Sequence, residues 1–164
     1  MINDVFTDEI KNKIDSIRLK FPKDKNKSSI IESLLTIQHK NDGYLTNELI
    51  ESLADYLDIE KIDVYEVATF YSMFNLKPIG RNIISVCTNV SCMLRDSDEI
   101  VNYIEKKLKV KIGESTRDNK FYLKNEMECL AACNGAPMMQ VNHINYENLT
   151  FKKIDEILDG IKDD

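Results

Sequence analysis

Long apolar runs, clustered glycine and basic excess are all missing from this chain, and each absence excludes something. No stretch of about 18 apolar residues occurs, so no transmembrane helix is expected. The five glycines, Gly43, Gly80, Gly113, Gly135 and Gly160, are scattered. They assemble neither G-x-G-x-x-G nor a P-loop, so nothing in the sequence supports nucleotide binding by this chain itself. Lys and Arg number 22 against 28 Asp and Glu, a net charge of −6. The lysines are interleaved with acids, as in Lys23-Asp24-Lys25, which argues against a phosphate-backbone footprint and hence against nucleic acid. The segment from Met1 to Glu9 is acidic and lacks both an apolar signal core and a basic transit pattern, so a cytoplasmic location is expected.

What is present is an ordinary globular balance, 43% hydrophobic and 30% charged over 164 residues. That length suits one domain, or one with a helical extension. The first part reads as helical. Thr7 can cap a helix carrying Ile10, Ile14 and Ile17 that ends before Pro22. Ser29-x-x-Glu32 reads as a capping box for a helix with Ile30, Ile31, Leu34, Leu35 and Ile37, stopping near Asn41-Asp42-Gly43. Thr46 caps a third helix, with Leu49, Ile50, Leu53, Ala54 and Leu57 inward, and a fourth follows Asp63 with Val64, Val67, Ala68 and Tyr71 on one face. Pro78-Ile79-Gly80 is a turn signal and the expected boundary: residues 1–77 form a small helical bundle, residues 78–164 a second domain.

Beyond it, Asn82 to Cys87 reads as a buried strand, and Asp96-x-x-Glu99 as a capping box for a helix with Ile100, Val101, Ile104 and Leu108. Phe121-Tyr122-Leu123 and Met138 to Val141 are further strands, and Thr150 caps a last helix with Ile154, Ile157, Leu158 and Ile161. The fold class expected is α+β, a helical bundle followed by an α/β layer.

The four cysteines form two tight pairs, Cys87-x4-Cys92 and Cys129-x3-Cys133. Within each pair a short loop can aim both sulfurs at one point, and four soft thiolates at one point bind zinc or an iron–sulfur cluster. Structural zinc usually takes C-x2-C knuckles. The looser gaps here suit the broader [2Fe–2S] rhomb, although spacing alone leaves zinc open. A thioredoxin-type dithiol needs C-x-x-C, which is absent, and disulfides are disfavoured in the cytoplasm.

Cys87-Thr88-Asn89-Val90-Ser91-Cys92-Met93-Leu94-Arg95, then Glu128-Cys129-Leu130-Ala131-Ala132-Cys133, then Ala136 to Asn142, resemble the thioredoxin-like [2Fe–2S] ferredoxin family that includes the 24 kDa or E subunit of NADH:quinone oxidoreductase, respiratory complex I. Val64-Tyr65-Glu66-Val67-Ala68-Thr69-Phe70-Tyr71-Ser72-Met73-Phe74 resembles the family's helical signature as well. The resemblance implies a thioredoxin-like second domain and a [2Fe–2S] cluster held by Cys87, Cys92, Cys129 and Cys133. It also implies single-electron exchange with an FMN on a partner, the flavin- and NADH-binding subunit, which the helical half docks against beside other peripheral-arm subunits. The place implied is peripheral to the inner membrane. The same module also serves NAD-linked hydrogenases and formate dehydrogenases. Two departures stand out: Ala131 occupies a position where the family usually has Gly, and Gly135 one where it usually has Asn.

The remaining expectations are smaller. Backbone N–H groups of Thr88, Asn89, Val90 and Ser91 can face the sulfurs, and Arg95 is a candidate counter-charge. Ala136–Pro137 is expected trans on base rates. His39 belongs to a helix's last turn and His143 to a turn, neither as a ligand. Phe70, Tyr71 and Phe74 are expected in bundle core or on a docking surface.

Overall fold

A computed structural model of the chain describes residues 5–124 and 129–162. It divides into two compact units, Met1–Pro78 and Ile79–Asp164.

The first unit is helical. Helix α1 (Asp8–Arg18) starts where Thr7 Oγ1 accepts the Ile10 N–H at 3.5 Å, and it buries Ile10, Ile14 and Ile17. Helix α2 (Ile30–Lys40) ends at Asn41, with His39 in its last turn. The expected capping box does not form there. Ser29 closes a 3-10 turn (Asn26–Ser29) with helical backbone angles, φ −87° and ψ −8°, and its hydroxyl donates to Asn26 O at 2.6 Å. A cap needs a non-helical residue. Glu32 pairs with Lys20 instead.

Helix α3 (Asn47–Leu57) is capped by Thr46, whose Oγ1 accepts the Leu49 N–H at 3.3 Å. Helix α4 (Lys61–Phe70) opens before Asp63 rather than after it. Asp63 sits in its first turn, where a carboxylate favours the dipole, and bonds Lys27 at 2.8 Å. Ile14, Leu34, Ile37, Leu53, Leu57 and Val64 share one core. Phe74 joins that core while Phe70 stays 81% exposed. Buried Gln38 fastens the chain after α4, donating to Met73 O at 3.0 Å and accepting the Asn75 N–H at 2.8 Å.

The second unit is a mixed five-stranded sheet with three helices among the described residues, its strands ordered β2-β3-β1-β4-β5. Strand β1 (Asn82–Val86) is central, parallel to β3 (Phe121–Lys124) and antiparallel to β4 (Met139–Val141). Strand β2 (Glu114–Ser115) and strand β5 (Ile144–Tyr146) complete the edges. A one-turn helix α5 (Val90–Met93) and helix α6 (Ser97–Leu108) connect β1 toward β3, and α7 (Phe151–Gly160) closes the chain under a Thr150 cap. Ile84, Val86, Ile100, Ile104, Leu123 and Ile154 form this unit's core.

Asp96 does not act as a side-chain cap for α6. It is left-handed, φ 62°, because the chain turns sharply out of α5, and its carbonyl takes the Glu99 N–H at 3.0 Å. Gly80 is dictated by a close approach: a Cβ there would strike the Phe121 backbone, which passes directly against it.

Candidate metal centre

The strand order brings both cysteine pairs to one end of the sheet. Strand β1 delivers Cys87 as its next residue, and the Cys87 N–H donates to Met138 O at 3.2 Å, continuing the β1–β4 pairing. Asn89 then turns the chain. Its Oδ1 takes the Val90 N–H at 2.8 Å, and its carbonyl takes the N–H groups of Cys92 and Met93, both at 2.9 Å. That seats Cys92 on α5. Cys87 and Cys92 are buried, in one small cluster with Ala136 and Met138.

Cys129 and Cys133 lie beyond β3 on the segment leading into β4, and both are exposed. Their sulfurs stand 3.7 Å apart. Two thiolates on one tetrahedral metal at about 2.3 Å are separated by about 3.8 Å, so this pair is already spaced for a shared metal. Ala131 donates its N–H to Cys129 Sγ at 3.3 Å and adopts a left-handed φ of 59° to do so.

The thiols perturb one another. Burial opposes ionisation of Cys87, but the N–H groups of Leu130 and Asn89 and the thiols of Cys92 and Cys129 outweigh it, and its pKa falls below the ordinary thiol value. Burial pushes Cys92 up to about 11, helped by Cys87 and opposed by the Met138 N–H. The Ala131 N–H favours ionised Cys129, yet contact with Cys133, with burial and Cys87 behind it, raises that group overall. Crowded thiols that resist ionising together are what a metal reverses, because its charge makes every thiolate favourable at once.

The Cys129 and Cys133 sulfurs are therefore in contact, and Cys87 lies near enough to Cys92 and Cys129 for both to favour its ionised form. No three His, Cys, Asp or Glu side chains among the described residues surround a single ion-sized point. Paired contacts suit a cluster with two thiolates on each of two irons, and the donor set of four sulfurs, ringed by N–H groups, fits it.

The donors differ from those the sequence suggested. The Val90 N–H is taken by its own cap, while Asn89 of the first loop faces a sulfur together with Leu130, Ala131 and Met138 from further along the chain. Backbone donors from another loop leave no mark in a sequence. Arg95 is exposed, with Nη1 donating to Ala136 O at 3.0 Å. The Ala136–Pro137 bond is cis, not trans; the trans preference before proline is only about 0.5–1 kcal/mol, small enough for tertiary context to reverse. His143 sits in the β4–β5 turn.

The sequence model of the thioredoxin-like [2Fe-2S] ferredoxin family matches residues 14–162. The chain is 44% identical over 150 residues to the E subunit of NADH-quinone oxidoreductase from Rickettsia bellii (strain RML369-C), covering 92% of this chain and 89% of that protein. It is 42% identical to the mitochondrial NADH dehydrogenase [ubiquinone] flavoprotein 2 of Dictyostelium discoideum, covering 96% of this chain and 63% of that one. Among solved structures, the air-oxidized NAD+-reducing [NiFe]-hydrogenase is similar with a TM-score of 0.65 at 18% identity. The similarity takes in 77% of this chain and 22% of that one, so the likeness is one of fold.

Proposed function

The chain belongs to the thioredoxin-like [2Fe-2S] ferredoxin family, and from that premise we propose that it is the electron-transfer subunit of an NADH:quinone oxidoreductase. Cys87, Cys92, Cys129 and Cys133 are the ligands in this reading, and the observation that carries it is that the fold gathers both pairs at one end of the sheet, close enough for each to shift the other's ionisation, with the Cys129 and Cys133 sulfurs 3.7 Å apart. A [2Fe–2S] cluster, when bound, supplies one-electron redox chemistry.

The protein's part is position and electrostatics. Cys87 and Cys92 bury one side of the site, while N–H groups of Asn89, Leu130, Ala131 and Met138 face the sulfurs and offset negative charge. Cys129 and Cys133 leave the other side open, and Val90, Met93 and Leu94 expose apolar surface on and after α5. Such a rim suits a protein partner. In this reading the partner is the flavin- and NADH-binding subunit, which holds the FMN and NADH, along with other peripheral-arm subunits. Ile62, Phe70, Met73 and Leu76 give the helical region, residues 1–77, exposed apolar surface of its own for docking. No helix among the described residues is long and apolar enough to cross a membrane. The place that goes with this reading, by likeness to the quinone oxidoreductase relatives, is cytoplasmic and peripheral to the inner membrane.

The hydrogenase likeness keeps a second assembly in view, the same module beside a hydrogenase or formate-oxidising partner; the higher identity to the quinone oxidoreductase relatives favours the first. Anaerobic purification with iron, sulfide and zinc analysis and EPR of the reduced protein tests the site. About two irons and two sulfides with a rhombic signal are expected, and one zinc without sulfide refutes the reading.

A further inference from the structure

Arg95 joins the two cysteine loops by a single side chain. Its own N–H donates to Cys92 O at 2.9 Å, which locks its backbone to the first pair. Its guanidinium reaches Ala136 O at 3.0 Å, and the Ala136 N–H in turn donates to Cys133 O at 3.3 Å, which locks the recipient to the second pair. Two residues on, Met138 meets both buried cysteines, its carbonyl accepting the Cys87 backbone N–H and its own N–H directed at the Cys92 sulfur. The chain between is held from the far side as well, where Asn148 and Leu149 donate to the carbonyls of Gly135 and Pro137 at 2.6 and 2.9 Å. Arg95 thus closes from the α5 side a clamp that β5 and its following turn close from the other.

We infer that Arg95 is a positioning residue for the cluster site. One charge-assisted hydrogen bond sets the segment from Cys133 to Met138 against the first loop, so that both sulfur pairs keep one register and the Met138 N–H stays aimed at Cys92. Because Arg95 is exposed and lies outside this unit's apolar core, a variant at this position is expected to remain folded. This role rests on the cluster assignment above.

The test compares the loaded parent with Arg95→Met, Arg95→Lys and, as a control that removes the same charge from an exposed position on α6, Lys106→Met. The readouts are the half-life of iron loss to an iron(II) chelator under reducing conditions, the EPR g-values and the reduction midpoint. Arg95→Met is expected to lose iron about tenfold faster, equivalent to ~1.4 kcal/mol, with altered g-values and a lower midpoint. Arg95→Lys, which keeps a charged donor of similar reach, is expected to recover the parent behaviour, and Lys106→Met to match it throughout. Arg95→Met indistinguishable from a loaded parent, or Arg95→Lys as defective as Arg95→Met, overturns the inference and leaves the cluster standing. A parent without iron and sulfide overturns the cluster, and this role with it.

Discussion

The methyl group of Ala131 sits on backbone turned the wrong way for it. An L-residue with a side chain at φ 59° is disfavoured by Cβ crowding, and the position holds that angle because the N–H it presents bonds Cys129 Sγ. Ala131→Gly is therefore expected to keep that bond and stabilise the second unit by about 0.5–1 kcal/mol, the relief of crowding less the extra freedom of glycine when unfolded. A higher melting temperature in the apo protein confirms it; a lower one means the methyl packs usefully after all. Gly135 is the converse case. A Cβ there would collide with the Glu147 side chain, including its Cβ, so Gly135→Ala should cost about 1–3 kcal/mol in a denaturant titration. The cysteines themselves were plain in the sequence because ligands must be side chains of one type at short spacing. The groups that tune them were not: Leu130, Ala131 and Met138 act through backbone N–H groups that any residue carries, and only the fold aims them. Glu147 likewise lies far along the chain from the glycine it requires.

Among the elements, the amphipathic helices α1, α2, α3, α6 and α7 were legible because burial imposes a helical period over ten residues or more. The Thr7, Thr46 and Thr150 caps were legible for a local reason, a hydroxyl three residues before the N–H it accepts. Ser29 and Asp96 carry the same local pattern and failed, since the turns preceding their helices impose backbone angles that a capping residue does not have. Strands β2 and β5, two and three residues long, and the single turn of α5 are too short for any period to show. The contact between α6 and α7 makes an electrostatic prediction. Tyr103 OH donates to Asp155 at 2.8 Å, Lys107 bridges Asp155 and Asp159, and the Tyr103 ring stacks on Phe151. Hydrogen bonds from Lys107 and Tyr103 hold Asp155 below its ordinary 3.8, so its contribution is present above that pH and is lost as the pH falls through the lower folded value. The bond to Asp155, with burial second, raises Tyr103 above 10.0, so its contribution is present below that pH and is lost as the pH climbs through the folded value. Tyr103→Phe should lower the melting temperature between about pH 5 and 9, with the gap from the parent narrowing on either side. A gap constant into acid would show that the hydroxyl matters for packing and not for charge.

At the scale of the molecule, each unit has its own core, and no residue is common to the two sets. All four cysteines belong to the second, two in the loop after β1 and two in the segment between β3 and β4. The first connection leaves the end of β1 and the second joins β3 to β4, so ligands that tie them together restrain the sheet at the end where β1, β3 and β4 meet. Metal binding that occurs only in the folded state adds its free energy to folding, and taking the metal away subtracts it. The subtraction should fall on one unit. Hydrogen exchange on the loaded and the chelated protein reads this directly, amide by amide. After chelation, protection should drop at Cys87 and Cys92 N–H, then along β1 and β4, while amides in α2 and α3 exchange as before, because their core of Leu34, Ile37, Leu53 and Leu57 contains no cysteine. Equal loss of protection in α2 and α3 would mean that the helical core draws its stability from the metal as well, and that the two cores fold as one.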